Sequence, residues 1–131
     1  MEALIFDTTF LIDLQRERNA GLKGVAHAFL HENAEACAFL PAVAYGEFAE
    51  GFANLTSTAF LSLVESFEFL PVTREIAGIY ADITRTLRRT GRIIGTNDLW
   101  IAATAVREDR PLVTRNLDHF ARVPGIQLRS Y

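Results

Sequence analysis

Short, unbroken apolar runs alternate with helical patterns along this chain, and that order restricts the fold more than any other feature. The first run, at 3–6, is Ala-Leu-Ile-Phe, and comparable runs occupy 37–40 and 111–114. Unbroken apolar runs are typical of strands that are buried on both faces of a sheet. Because the runs alternate with helical segments, the sequence predicts an α/β fold in which helices flank a parallel sheet.

The intervening segments carry helical periodicity. Ile76 and Ile83 share one face of a predicted helix over 74–90, which Gly91 ends, and residues 99–106 are apolar on all sides, as in a buried helix. Thr9 is the expected cap of the first helix, and Thr96 or Asn97 that of the helix around 99–106. Further helices are expected at about 10–18, 22–32, 56–66 and from 41 onward, with short strands near 67–70 and 126–129.

Length and composition predict one domain over residues 1–131. Half of the residues are hydrophobic and 22% are charged, which excludes a disordered or fibrous protein. The single cysteine, Cys37, excludes an internal disulfide framework, and no apolar run approaches the roughly 18 residues of a membrane span. The first residues lack the basic start and the cleavage site of a signal peptide. We therefore expect a cytoplasmic protein with no membrane partner.

Charge is distributed unevenly in this acidic chain. Residues 1–70 hold three basic and ten acidic side chains, whereas residues 71–131 hold ten arginines and six acids. Arginine suits phosphate recognition because its guanidinium binds two oxygens at once. A stripe made of Arg85, Arg88, Arg89 and Arg92 is therefore either a nucleic-acid contact or an ordinary solvated helix face, and arginine-rich codon usage explains the composition equally well.

Acidic and amide side chains follow the predicted strands. Asp7 follows the first strand, Glu47 lies in the helix after the second, and Asp98 opens the buried helix, while Asn116 and Asp118 follow the strand at 111–114. Sites in parallel sheets form beyond the carboxyl ends of the strands, so these residues are expected at one edge. Singly, each also suits a turn or the first turn of a helix. Together, they offer the hard oxygen ligands that select Mg²⁺ or Mn²⁺ over zinc.

Four segments of the chain carry a family resemblance: LIFDTTFLID at 4–13, PAVAYGEFAEG at 41–51, GTNDLWIAATA at 95–105 and LVTRNLDHFARVPGIQL at 112–128. They resemble PIN-domain nucleases, most closely the VapC-type toxins of bacterial toxin–antitoxin pairs. The last two are the most specific, and the order of the four extends the resemblance over essentially the whole chain. The resemblance implies a three-layer α/β/α sandwich with a mainly parallel sheet of four or five strands.

The resemblance also implies a function. Asp7, Glu47 and Asp98 would form the metal site of a Mg²⁺-dependent endoribonuclease, with Mn²⁺ as a possible substitute. A VapB-like antitoxin would cover this site, and a homodimer is usual in the family. Many members carry a fourth acid where this chain has Asn116 or His119, with Asp118 between them. Asn116 or Asp118 would therefore complete the ligand set, and the number of metal ions stays open.

Several other residues have both a functional and a structural interpretation. Thr8 and Thr114 would hydrogen-bond the acidic side chains or an RNA, or else serve only as caps and turn residues. Arg115, Arg85, Arg89 and Arg92 would contact RNA or remain solvated. A competing hypothesis is a non-catalytic PIN-like module that binds RNA or protein and has a degenerate metal site. His27 and His31 stand four residues apart, but the His-Glu pattern of zinc proteases is absent.

Overall fold

The computed structural model describes all residues from 1 to 131, arranged as five strands and seven helices. The strands are β1 (Ala3–Phe6), β2 (Cys37–Pro41), β3 (Glu68–Leu70), β4 (Leu112–Val113) and β5 (Leu128–Arg129). The helices are α1 (Thr8–Asn19), α2 (Val25–Glu32), α3 (Ala42–Ala49), α4 (Thr58–Val64), α5 (Arg74–Arg89), α6 (Thr96–Glu108) and α7 (Leu117–Phe120).

The five strands form one parallel sheet in the order β3-β2-β1-β4-β5. β1 is the central strand: Ile5 pairs with Phe39 of β2 on one side and with Leu112 of β4 on the other. Helices flank this sheet, and the predicted α/β class is confirmed with five strands. Since all strands point the same way, the residues that follow β1 and β4 emerge at the same edge of the sheet.

The core explains why the apolar runs form strands. Leu4, Ile5 and Phe6 of β1 are completely buried, as expected of a strand covered on both faces. Helix α6 buries Leu99 and five consecutive residues from Ile101 to Ala105. Its alanines allow close approach of α5, which contributes Ile76, Ile83 and Leu87 to the core. No helix is both long enough and apolar enough to cross a bilayer.

The predicted helix caps were wrong in two places. Asp7, not Thr9, caps α1, because its carboxylate accepts a hydrogen bond from the Phe10 backbone N–H at 3.0 Å. Helix α6 begins after Gly95 without a side-chain cap, so neither Thr96 nor Asn97 has that role. The Gly91 prediction is confirmed: it follows α5 with a φ of +68°, which glycine adopts without strain.

Candidate active site

Asp7 lies at the carboxyl end of β1 and begins α1. Only 3% of the residue is exposed. Burial raises the pKa of this carboxyl to about 6, although hydrogen bonds from the Thr114 side chain and the Phe10 N–H act in the opposite direction. The nearby charges of Asp98 and Asp13 raise this pKa further. Asp7 is therefore a buried acid among other acids, and no lysine, arginine or histidine forms an ion pair with it.

Glu47 connects three helices at this edge. It lies on α3 and is partly buried. Its Oε1 accepts a hydrogen bond from the Thr8 hydroxyl at the start of α1 at 2.7 Å, and its Oε2 accepts one from the Asn97 amide on the first turn of α6 at 3.0 Å. Both oxygens therefore have a donor, and the carboxylate is held between the starts of two helices.

Asp98 is the third residue of α6, and 36% of its side chain is exposed. Its Oδ2 lies 2.8 Å from Nε2 of His119 on α7, an ion pair when the imidazole is protonated. Asp98 also lies near Asp7, because its charge contributes to the raised pKa of Asp7. Through Asp98, His119 is added to the site. Sequence reasoning assigned no role to His119, because the contact spans 21 residues and links two separate helices.

Asn116 and Asp118 follow β4, and neither is joined directly to one of the three acids. Both are exposed, and neither side chain hydrogen-bonds an acid of the site. The Asn116 backbone N–H donates to the Thr114 hydroxyl at 3.0 Å, and this hydroxyl is the group that hydrogen-bonds Asp7. The segment after β4 thus reaches the acidic site through Thr114.

Asp13 is a buried acid that sequence reasoning did not single out. It lies on α1, is only 5% exposed, and contacts Arg16, Arg115 and Tyr131. A pattern-based signal was available, because Asp13 stands between Leu11 and Leu14 on the buried face of the helix. An acid at such a position requires a partner, although the sequence does not identify it.

The donor set at this edge suits a hard cation. Asp7, Glu47 and Asp98 offer carboxylate oxygens. No group of three or more acidic, histidine or cysteine side chains is arranged closely enough to form a complete metal site. Mg²⁺ retains several waters and commonly binds proteins through one or two carboxylates, so an incomplete cage fits it better than it fits Zn²⁺. Asp7 is buried near two other acids, and a divalent cation would offset their mutual repulsion.

The two histidines of α2 form no zinc site. Nδ1 of His27 lies 2.7 Å from Oε1 of Glu17, and no metal-binding group includes His31.

The arginines proposed as RNA contacts fall into two groups. Arg85, Arg88 and Arg89 on α5 and Arg92 after it are all exposed, and Arg85 pairs with Asp82. Arg115 follows Thr114 directly and lies beside the acidic edge, where its Nε contacts Asp13. Only Arg115 is therefore linked to the site, through its position after Thr114 and its ion pair with Asp13.

Known proteins resemble this chain, one of them over nearly its full length and another over about half of it. The PIN domain family model matches residues 4–126. Ribonuclease VapC1 of Methanocaldococcus jannaschii is 31% identical over 129 residues, covering 98% of this chain and 86% of that protein. Ribonuclease VapC2 of Rickettsia felis is 36% identical over 72 residues, covering 55% of this chain and 52% of that protein.

Solved structures show the same fold. VapBC-1 from nontypeable Haemophilus influenzae is 26% identical with a TM-score of 0.80, covering 98% of this chain and 97% of that chain. DNA-bound VapBC from Salmonella typhimurium has a TM-score of 0.82 at 24% identity, covering 99% and 98%, and this likeness concerns the fold alone. Because the family model and the Methanocaldococcus relative both span almost the whole sequence, this chain belongs to the PIN domain family.

Proposed function

We propose that this chain is a metal-dependent endoribonuclease that hydrolyses RNA phosphodiester bonds. The observation that carries the proposal is the buried Asp7 carboxyl, which has an elevated pKa and lies near Asp98 without a cationic side-chain partner. Strongly perturbed acids in such surroundings are typical of functional sites. Relatives named ribonuclease VapC support the same chemistry.

The residues of the site have different proposed tasks. Asp7 and Asp98 would hold Mg²⁺ or Mn²⁺, and Glu47 would ligate the ion or orient the attacking water. When bound, the metal lowers the pKa of a water and offsets charge on the phosphate and the leaving oxygen. Thr8 and Asn97 fix the Glu47 carboxylate, and Thr114 orients Asp7, so the oxygens keep their places before an RNA arrives. Asn116 or Asp118 would complete the ligand set.

The same proposal extends to biological context. Neighbouring structures are VapBC complexes, and we propose that this single domain, residues 1–131, is the cytoplasmic toxin of such a pair. A VapB-like antitoxin would then cover the acidic edge, and the chain would form a homodimer. Arg115, with Arg85, Arg89 and Arg92, would contact the RNA backbone, because exposed guanidinium groups bind phosphate oxygens well.

The test is cleavage of total tRNA and rRNA by purified protein, with Mg²⁺, with Mn²⁺ and with EDTA. We expect discrete fragments that require the metal and that disappear in Asp98→Asn, whose similar shape preserves the fold. Glu35→Gln is the control, because Glu35 is an exposed acid between α2 and β2 that forms no ion pair or side-chain hydrogen bond. Circular dichroism confirms folding of each variant. Metal-dependent cleavage by Asp98→Asn would refute the assignment.

Two observations favour the competing function, a non-catalytic module that binds RNA or protein. Asp98 is already paired with His119, and the acids form no ready-made three-ligand group. This hypothesis predicts no binding of Mg²⁺ or Mn²⁺ at millimolar concentration. Calorimetry that detects a metal site in the wild-type chain, and loses it in Asp7→Asn, would count against the non-catalytic module with a degenerate metal site.

A further inference from the structure

Asp13 is a buried acid that lies outside the proposed metal ligands and has three side-chain partners. Its Oδ2 accepts a hydrogen bond from the Tyr131 hydroxyl at 2.6 Å and lies 3.1 Å from Nε of Arg115 in an ion pair. Its Oδ1 accepts a hydrogen bond from Nη1 of Arg16 at 3.3 Å. Ion pairs and hydrogen bonds offset the cost of burying a carboxylate. These three side chains therefore stabilise the Asp13 carboxylate inside the fold.

Arg115 is oriented by this contact in a way that leaves it free to bind an anion. The ion pair with Asp13 is made through Nε of the guanidinium, and neither terminal amino group donates a hydrogen bond within the chain. About half of the Arg115 side chain is exposed, whereas its Asp13 anchor is not. The two terminal groups of arginine form a planar pair of donors that matches two phosphate oxygens. Arg115 also follows Thr114, which hydrogen-bonds Asp7.

Tyr131 is the second partner of Asp13 Oδ2. Its ring packs edge-on against Phe10 at a centroid distance of 4.7 Å and against Phe29 at 6.4 Å. The rotamer of Tyr131 is therefore set by the core, and its hydroxyl is delivered to the same Asp13 oxygen that holds Arg115. Charge-assisted hydrogen bonds of this kind are short and directional. A chain of contacts thus runs from the core through Tyr131 and Asp13 to Arg115.

We propose that Asp13 and Tyr131 are positioning residues that hold Arg115 as a binding site for an RNA backbone phosphate beside the acidic edge. This inference rests on the proposed ribonuclease function, since it places the phosphate next to Asp7. It assigns roles to two residues that do not contact RNA themselves. A purely structural role for the Tyr131–Asp13 contact would stabilise the fold and leave RNA binding through Arg115 unchanged.

A double-mutant cycle separates these two roles. Binding of a short, fluorescein-labelled, single-stranded RNA is measured by anisotropy in EDTA, so that no cleavage occurs, for wild type, Tyr131→Phe, Arg115→Ala and the double variant. Tyr131→Phe retains the ring that packs against Phe10 and removes only the hydroxyl. We expect it to weaken binding about five- to tenfold in the wild-type background, consistent with loss of orientation by a charge-assisted hydrogen bond.

In the Arg115→Ala background, the same Tyr131→Phe change should leave affinity unaltered, because the group that Tyr131 positions is gone. Arg115→Ala should also reduce the slope of log affinity against log salt by about 0.7, the value for one phosphate contact on a single strand. Tyr80→Phe is the matched control, since the Tyr80 ring stacks on Trp100 and its hydroxyl has no hydrogen bond within the chain. Equal losses in both backgrounds, or an unchanged salt slope, would overturn the inference.

Cleavage of tRNA and rRNA by the wild-type chain is measured in parallel. If RNA is cleaved and Tyr131→Phe weakens binding equally in both backgrounds, the positioning role is refuted and the ribonuclease function stands. If Tyr131→Phe weakens binding only when Arg115 is present but no RNA is cleaved, the phosphate site is supported and the nuclease function is refuted. Cleavage together with coupling supports both, and the absence of both refutes both.

Discussion

The charge on Asp7 should make the metal-free chain less stable, and replacing this residue by asparagine should reveal by how much. Burial raises the pKa of Asp7 to about 6 from an ordinary value of 3.8. A tenfold change in proton affinity corresponds to about 1.4 kcal/mol, so the ionised carboxylate costs the folded chain about 3 kcal/mol. Asp7→Asn removes this charge and keeps a side-chain oxygen that can accept from the Phe10 N–H.

The direction and the pH range of this effect on stability follow from the linkage between proton binding and folding. Because the pKa of Asp7 is higher in the folded chain, the folded state binds more protons than the unfolded state between about pH 4 and pH 6. The stability contributed by this proton is complete below the unfolded pKa and is lost as pH rises through the folded pKa. The advantage of Asp7→Asn over wild type should therefore grow by about 2.5 kcal/mol between about pH 4 and pH 7.5.

Urea unfolding in EDTA across this pH range provides the assay. The quantity of interest is the difference in free energy of unfolding between Asp7→Asn and wild type, because groups common to both chains cancel. Effects of the amide on packing add an offset that does not vary with pH. Asp118→Asn is the control, since Asp118 is exposed and its side chain has no hydrogen bond in the chain. The pH dependence specific to Asp7 is the part of the Asp7→Asn difference curve that the Asp118→Asn curve lacks.

Two results would refute the reasoning about Asp7. A difference that does not change with pH would show that the carboxyl is not destabilised by burial in the folded chain. A difference that falls as pH rises would show that the ionised carboxylate is favoured there, so that the hydrogen bonds from Thr114 and Phe10 exceed the cost of desolvation.

Other perturbations test separate parts of the molecule. Thr8→Val, which removes one of the two hydrogen bonds that hold Glu47, should reduce RNA cleavage about tenfold with little change in the urea midpoint, and an unchanged rate would exclude this positioning role. Mg²⁺ at pH 7.5 should raise the melting temperature of wild type but not of Asp7→Asn, and equal shifts would place the ion elsewhere. Ile101→Ala, at a fully buried site of α6, should cost about 2–5 kcal/mol in denaturation, whereas under 1 kcal/mol would contradict tight packing there. Gly91→Ala, at a φ of +68°, should cost about 1–2 kcal/mol, and a neutral effect would show that the turn relaxes.

The fold was predictable where local pattern determines it. The unbroken run at 3–6 indicated a strand buried on both faces, and Leu4, Ile5 and Phe6 are buried in β1. The helix caps were less predictable, because both Asp7 and Thr9 are residue types that cap helices. Which of the two caps the helix depends on where β1 ends. Helix α1 begins at Thr8, directly after Asp7, so the Asp7 side chain and not that of Thr9 reaches the first free N–H groups.

The site was predictable only in outline. Parallel topology explains why the acids after different strands and in different helices meet at one edge, and Asp7 and Asp98 do interact there. The hydrogen bonds between side chains were not accessible from sequence, because each joins distant segments. Asn97 donates to Glu47 across 50 positions instead of capping α6, and Tyr131 reaches Asp13 across 118. Local propensity carries no information about such contacts.

The partners of the four acids explain why Asp7 is the residue on which a cation should act most strongly. Glu47 is held by two neutral donors, Asp98 by a histidine, and Asp13 by two arginines and a phenol. Asp7 is at least as buried as any of them, yet it has only a hydroxyl and a backbone N–H, and two acids act against it. A bound divalent cation would offset that repulsion and lower the pKa of Asp7. The same imbalance that destabilises the metal-free chain thus favours metal binding at this edge of the sheet.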